Sequence, residues 1–331
     1  MINTKKFLAN VTFMTVLCMI FSTIHPKSIT VFSHGFNNHP ERFKENHAIY
    51  APCKTDLVTI TFKHRLVCFG AQGRKVIKKT IEKNSLSDSV SFVSFSQGTT
   101  ATIHYLANKE DCSNVQSILL IAPIADPADL VQNYSIFKYL FMPQWLNKKI
   151  LSWNLPHYDP NIAAPIEKIE KIKNLPKTCP IIIMHGTNDH TSRWEQGYLL
   201  AKKFHELGYS VYFIEHDGGH NQPYYPENKV NMKLEFKKNQ TKEEIRAIKE
   251  KYSKVEREDM AKIIHAIYKK HGLPHNKQTI NNPEDYRFDK QKIGLEKKYQ
   301  TQKNKDFFNR LCLTTIALTF GCACLFKKFK K

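Results

Sequence analysis

Between Ser28 and Ile214 the chain returns six times to a short apolar run rich in β-branched residues, and most of these runs end abruptly. The runs are Ser28–Ser33, Asp56–Phe62, Val90–Phe95, Ser117–Ala122, Pro180–Met184 and Ser210–Ile214. The stops include His34-Gly35, Pro123, His185-Gly186 and Asp217-Gly218-Gly219-His220. A short run that is apolar throughout suits a strand covered on both faces, as strands of a parallel sheet are. Amphipathic segments fill the gaps: Arg74–Lys83, Gln97–Asn108, Ser192–Leu207 and Glu256–His271. The alternation predicts an α/β fold with a doubly wound, mostly parallel sheet of about six strands. Right-handed crossovers then bring every strand's C-terminal end to one rim of the sheet, where sites form.

Residues 124–178 are too long for a simple crossover and carry Tyr134, Phe137, Tyr139, Phe141, Trp145 and Trp153. They are expected to form a small helical cap, with its own core or lining an apolar pocket above the sheet. Residues 221–255 and 273–310 are polar and lysine-rich. The first reads as an insertion and the second as a basic tether. The domain proper is expected over 28–272.

Both ends of the chain are apolar. Lys5 and Lys6 precede Phe7–Ile24, the pattern of a signal peptide or N-terminal membrane anchor within residues 1–27. No small-x-small cleavage site follows, which favours the anchor. Leu311–Phe326 lies between Arg310 and a lysine-rich tail within residues 311–331. It is expected to be a C-terminal transmembrane helix, slightly short, with basic flanks reaching the interface. Lysines outside both runs imply cytoplasmic termini. The expected localisation is membrane-associated, with the central domain extracytoplasmic, in the cell envelope.

The net charge of +20 fits a lysine-rich solvated surface or attraction to an anionic membrane or polymer. No zinc knuckle, RNA-recognition signature or basic zipper is present, so no specific nucleic-acid partner is expected. Cys53, Cys68, Cys112 and Cys179 lie in the central region, as disulfides or buried thiols. Cys112 and Cys179 each precede a strand, and where those two strands are neighbours the cysteines approach each other at the rim where strands begin, with Cys53–Cys68 as the companion pair.

The chemistry-bearing residues fall at strand ends. Ser94-Phe95-Ser96-Gln97-Gly98 follows the third run and opens a helix, the context of a serine nucleophile on a sharp turn. A serine hydroxyl needs a base, and His220 follows the last run after two glycines. The base needs a carboxylate to fix its tautomer, and Asp189 follows the fifth run. Asp126 and Asp129 are fallback acids, and Asp217 stands too near His220 in the chain. The oxyanion needs two donors. The N–H of Gln97 opens the helix, and the N–H of Phe36 lies in the turn after the first run.

In these motifs the chain resembles an α/β-hydrolase, shortened at its N-terminal edge. His34-Gly35-Phe36 resembles the family's oxyanion turn and Ser94–Gly98 its nucleophile elbow, with Ser94 in place of the first glycine. His185-Gly186-Thr187-Asn188-Asp189 resembles its acid loop and Gly219-His220 its base loop. The order Ser, Asp, His is the family's. The resemblance implies a membrane-anchored serine hydrolase acting on a carboxylic ester or thioester, with a small-molecule or lipid-like acyl substrate. It implies neither metal nor organic cofactor. A peptidase of the same fold, and a non-catalytic envelope binding protein that keeps the fold, are the alternatives.

Overall fold

The computed structural model describes residues 27–35, 40–62, 71–84, 87–133, 143–154, 164–220, 235, 237, 240–280 and 282–329. Six strands form one sheet: β1 (Lys27–Ser33), β2 (Asp56–Ile60), β3 (Ser87–Phe95), β4 (Val115–Ile121), β5 (Pro180–Gly186) and β6 (Ser210–His216). Their order is β2-β1-β3-β4-β5-β6, and every pairing is parallel. The six expected runs are the six strands.

Side chains along a strand alternate between faces, which explains why each run had to be apolar throughout. Ile118 and Leu120 of β4, Ile181 and Ile183 of β5, and Val211 and Phe213 of β6 enter one buried cluster. Their neighbours Leu119 and Ile121, Ile182 and Met184, and Tyr212 and Ile214 enter the other. The first cluster is covered by α2 (Ala71–Lys83), α3 (Gln97–Asn108) and α7 (Trp194–Glu206). The second is covered by α1 (Pro40–His47) and α8 (Lys242–Lys270). Burying each such aliphatic side chain is worth about 1.5–3 kcal/mol, so the two faces together hold the sheet.

The 124–178 segment contains α4 (Ala128–Asn133), α5 (Gln144–Asn154) and the short α6 (Pro165–Lys168). Trp145 and Trp153 of α5 are 65% and 67% exposed. Tyr134, Phe137, Tyr139 and Phe141 lie outside the described residues.

Two polar stretches are more structured than their composition implied. The helix expected from Glu256 begins at Lys242, inside the stretch read as an insertion. A capping box fixes its start: Glu244 N–H donates to Thr241 Oγ1 at 3.2 Å, and Thr241 N–H donates to Glu244 Oε2 at 2.7 Å. The stretch read as a tether forms the first half of α9 (Phe288–Phe329), which docks on the domain. Phe288 and Leu295 of α9 are buried in the first cluster, and Tyr299 packs against it.

The expected C-terminal span falls on the last helix. Leu311–Phe326 is the end of α9, and among the described residues no helix is long and apolar enough to cross a membrane. The apolar run covers about 24 Å at 1.5 Å per residue, short of a hydrocarbon core of about 30 Å. The N-terminal run lies outside the described residues.

Cys53, Cys112 and Cys179 are free thiols, and Cys68 lies outside the described residues. Cys112 and Cys179 share the first cluster at the rim where β4 and β5 begin. Burial pushes both thiols above their ordinary pKa, and Cys112 pushes Cys179 up further.

Candidate active site

Parallel strands end together on what we call the upper rim, and three of those ends converge. Phe95 closes β3, and Ser96 follows it with φ 50° and ψ −120°. A non-glycine residue there is strained, which lifts its side chain clear of both strand and helix. The turn is tight enough to require Gly98, since a Cβ there would sit 2.1 Å from the Ser33 carbonyl oxygen. Ser94 replaces a small elbow residue without leaving its hydroxyl stranded, for it hydrogen-bonds Thr102 Oγ1 of α3 at 2.8 Å.

Ser96 Oγ donates to His220 Nε2 at 2.8 Å, and His220 Nδ1 donates to Asp189 Oδ2 at 2.7 Å. Residues 96, 189 and 220 are thus joined in one chain of hydrogen bonds. The imidazole also lies 5.0 Å from the Phe95 ring, centroid to centroid, which limits how it can turn.

Asp189 is buried at 4% exposure. Burial alone would raise its pKa, yet hydrogen bonds from His185 and His220, with their charge, hold it well below the usual carboxylate range. Its other oxygen accepts the N–H groups of Thr191 and Ser192 at 2.8 and 2.9 Å. Such a carboxylate is held in place and stays ionised.

His185 is the residue the motifs did not single out on its own account. It is the next-to-last residue of β5, is fully buried, and lies 3.4 Å from Asp189 Oδ2. Its Nε2–H donates to the Ser192 carbonyl at 2.6 Å, tying β5 to the acid loop. The available signal was its place one position inside a strand end and four before Asp189. A third histidine, His216, closes β6, and burial lowers its pKa to about 3. Its Nδ1 accepts the Gly218 N–H at 3.1 Å, which shapes the turn leading to His220.

The other acids are engaged elsewhere. Asp126 Oδ1 accepts the Ala128 N–H at 2.8 Å, and its Oδ2 accepts from Gln144. Asp129 Oδ2 accepts from Gln196 Nε2 at 3.0 Å, and burial raises its pKa. Asp217 faces Thr187 Oγ1 at 3.4 Å.

Gln97 is the first residue of α3, so its N–H is one of those a helix leaves unpaired at its N-terminus. Gly35 lies against Ser96, since a Cβ there would come within 3.1 Å of Ser96 Cβ. Phe36, expected to give the second donor, lies outside the described residues. Among the described residues there is no cluster of His, Cys, Asp and Glu able to hold a metal ion.

Sheet order, helices on both faces and a serine on a strand-to-helix turn define the class: the fold is that of an α/β-hydrolase. No family model matches the chain, and no curated protein matches it in sequence. Solved structures do. Uncomplexed Pyrococcus horikoshii acylaminoacyl peptidase is similar over 78% of this chain, at 14% identity and a TM-score of 0.47. The match spans only 39% of that peptidase. The Thermogutta terrifontis esterase Est2 is similar over 60% of this chain and 75% of its own, at 17% identity and TM-score 0.43. Paleococcus ferrophilus monoacylglycerol lipase is similar over 68% and 93%, at 14% identity and TM-score 0.41.

Proposed function

We propose that the protein is a serine hydrolase that cleaves carboxylic esters or thioesters through an acyl-enzyme. The observation that carries this reading is the hydrogen-bonded series Ser96–His220–Asp189, at 2.8 and 2.7 Å, headed by a strained serine. Ser96 Oγ attacks the acyl carbonyl while His220 Nε2 takes its proton. The N–H groups of Gln97 and Phe36 hold the oxyanion. The imidazolium returns the proton to the leaving alcohol or thiol as the carbon–heteroatom bond breaks. Water, deprotonated by His220, then releases the acid and restores Ser96. Asp189 keeps the His220 proton on Nδ1 and stabilises the imidazolium. His185 and the two backbone donors keep Asp189 in place.

Membrane association in the cell envelope is part of the proposal. It rests on Phe7–Ile24 behind Lys5 and Lys6, on the apolar end of α9, and on the net charge of +20.

A fluorophosphonate probe, which reacts with activated serines, tests the chemistry. The folded wild type is expected to label, and Ser96→Ala and His220→Ala are not. Absence of labelling in folded wild type would leave the fold without this activity and point to a binding protein. Turnover of matched ester and peptide substrates separates esterase from peptidase.

A further inference from the structure

The path of α9 fixes where its apolar end emerges. Arg287, just before α9, bridges Tyr212 near the start of β6, at the lower rim. Phe288 then lies 5.4 Å from His205 near the end of α7, ring to ring. Tyr299 stacks on Tyr198 at 4.9 Å, and Lys298 lies 4.4 Å over Trp194. Asp306 pairs with Arg193, just ahead of α7. Numbers rise along α9 as they fall along α7, so the helices are antiparallel. α7 descends from the upper rim, so α9 climbs to it. A cavity of about 490 Å³ there is lined by Asp189, His190 and Trp194 on one side and Gln302, Asp306 and Asn309 of α9 on the other. The helix continues to Phe329, about 28 Å beyond Arg310 at 1.5 Å per residue. It therefore runs past the rim that carries Ser96.

Exposed apolar side chains gather at the same rim. Phe307, Phe308 and Leu311 of α9 are 52%, 61% and 45% exposed. On α5, in the segment that leaves β4 at this rim, Trp145 and Trp153 are exposed too. Trp145 adjoins Gln144, which bonds Asp126. Aromatic residues of this kind favour a membrane–water interface. Basic residues accompany them: Lys148 and Lys149 on α5, then Lys303, Lys305, Arg310, Lys327 and Lys328 on α9. Of the acids nearby, Glu195 and Asp306 are both paired with Arg193. An apolar helix end shorter than the hydrocarbon core, framed by cations, matches the headgroup–acyl boundary of an anionic leaflet.

We infer that the upper rim, with α5 and the end of α9, is a docking surface for an anionic lipid leaflet, held so that Ser96 faces it. Resting on the hydrolase reading above, the substrate is then an acyl ester presented by that leaflet rather than one dissolved in water.

The test is cosedimentation of the full chain with vesicles of phosphatidylcholine alone or with added phosphatidylglycerol. A soluble short-chain ester and a vesicle-borne ester are assayed in parallel. Wild type is expected to bind the anionic vesicles. Lys327→Glu/Lys328→Glu is expected to weaken binding at least about tenfold. Leu318→Asp and the Trp145→Ser/Trp153→Ser pair are each expected to reduce both binding and vesicle-ester turnover, with soluble-ester turnover unchanged. That unchanged turnover also shows that the variants fold. Equal binding by wild type and all variants overturns the inference. So does self-association abolished by Leu318→Asp without vesicle binding, which would make a second copy the occupant. Vesicle binding with no turnover of either ester supports the docking surface but overturns the hydrolase reading and its lipid substrate.

Discussion

At the upper rim β3 runs into Ser96 at φ 50° and β4 into Ala122 at φ 45°, two buried non-glycine residues in the left-handed region. At the lower rim the chain enters the same sheet beside Cys112 and Cys179, apolar in behaviour and packed among aliphatic side chains. The upper rim buries Ser96, Asp189, His185 and His216, each needing a partner and each mostly given one. The lower rim buries thiols that need none. The contrast follows from topology, since parallel strands with right-handed crossovers send all their C-terminal loops to one rim. Strain and buried charge are gathered there, and the packed faces of the sheet hold them in place.

The largest expected effect tests whether the upper rim is chemical. Ser96→Ala should lower ester turnover by at least about 10⁴-fold, read as kcat/KM against a soluble ester. Ser96→Gly should abolish turnover equally yet raise stability by about 1 kcal/mol in denaturant unfolding, because glycine relieves the positive φ. Lower stability for the glycine variant would show that the turn is not strained. Asp189→Asn comes next, with turnover reduced by about 10³–10⁴-fold and His220 no longer held in one tautomer.

In the packed interior the effect should move from rate to stability. Ile183→Ala, at a fully buried site, should cost about 2–5 kcal/mol in urea unfolding and leave turnover per folded molecule unchanged. A large loss of turnover there would mean that the interior is part of the site.

Acid should weaken the fold through its buried histidines. Burial lowers His216 from the ordinary 6.5 to about 3, and burial with the charges of Lys168 and Arg74 lowers His104 to about 4. Between 6.5 and these values the unfolded chain binds protons that the folded chain does not. Their contribution is therefore complete above about pH 6.5 and is lost as the pH falls toward 4. Below 3.8, the ordinary value for an aspartate, Asp189 adds its own loss. The midpoint of thermal unfolding, followed from pH 7 to pH 4, should fall throughout that range. The smallest effect belongs to the lower rim: dithiothreitol should shift the midpoint by less than about 1 °C, since Cys112 and Cys179 are thiols. A larger drop would show them to be bridged.

Much of this architecture was legible because burial on both faces leaves a composition signature. Val90–Phe95 and Ser117–Ala122 read as strands because each of their faces meets a helix layer. Ser96, Asp189 and His220 were legible because small residues and hard stops mark tight strand ends. α9 was not. Along Phe288–Arg310 only Phe288 and Leu295 are buried deeply, and much of its contact with α7 is polar, through Glu296, Lys298 and Asp306. A helix held that way has the composition of a solvated linker. His185 was read as part of a motif, and its contact with Asp189 depends on how the acid loop folds back over β5.

The sequence by itself determined six strands, their parallel winding and the order of serine, acid and histidine. Local apolar periodicity and turn residues carry that information over a few residues. The tertiary structure alone decided that residues 96, 189 and 220 meet within hydrogen-bond reach, that His185 shares the acid, and that the apolar end of α9 leaves from the rim bearing Ser96. These are distances between residues as many as 124 positions apart. They are set by the register of the strands and the docking of whole helices, which no local pattern encodes.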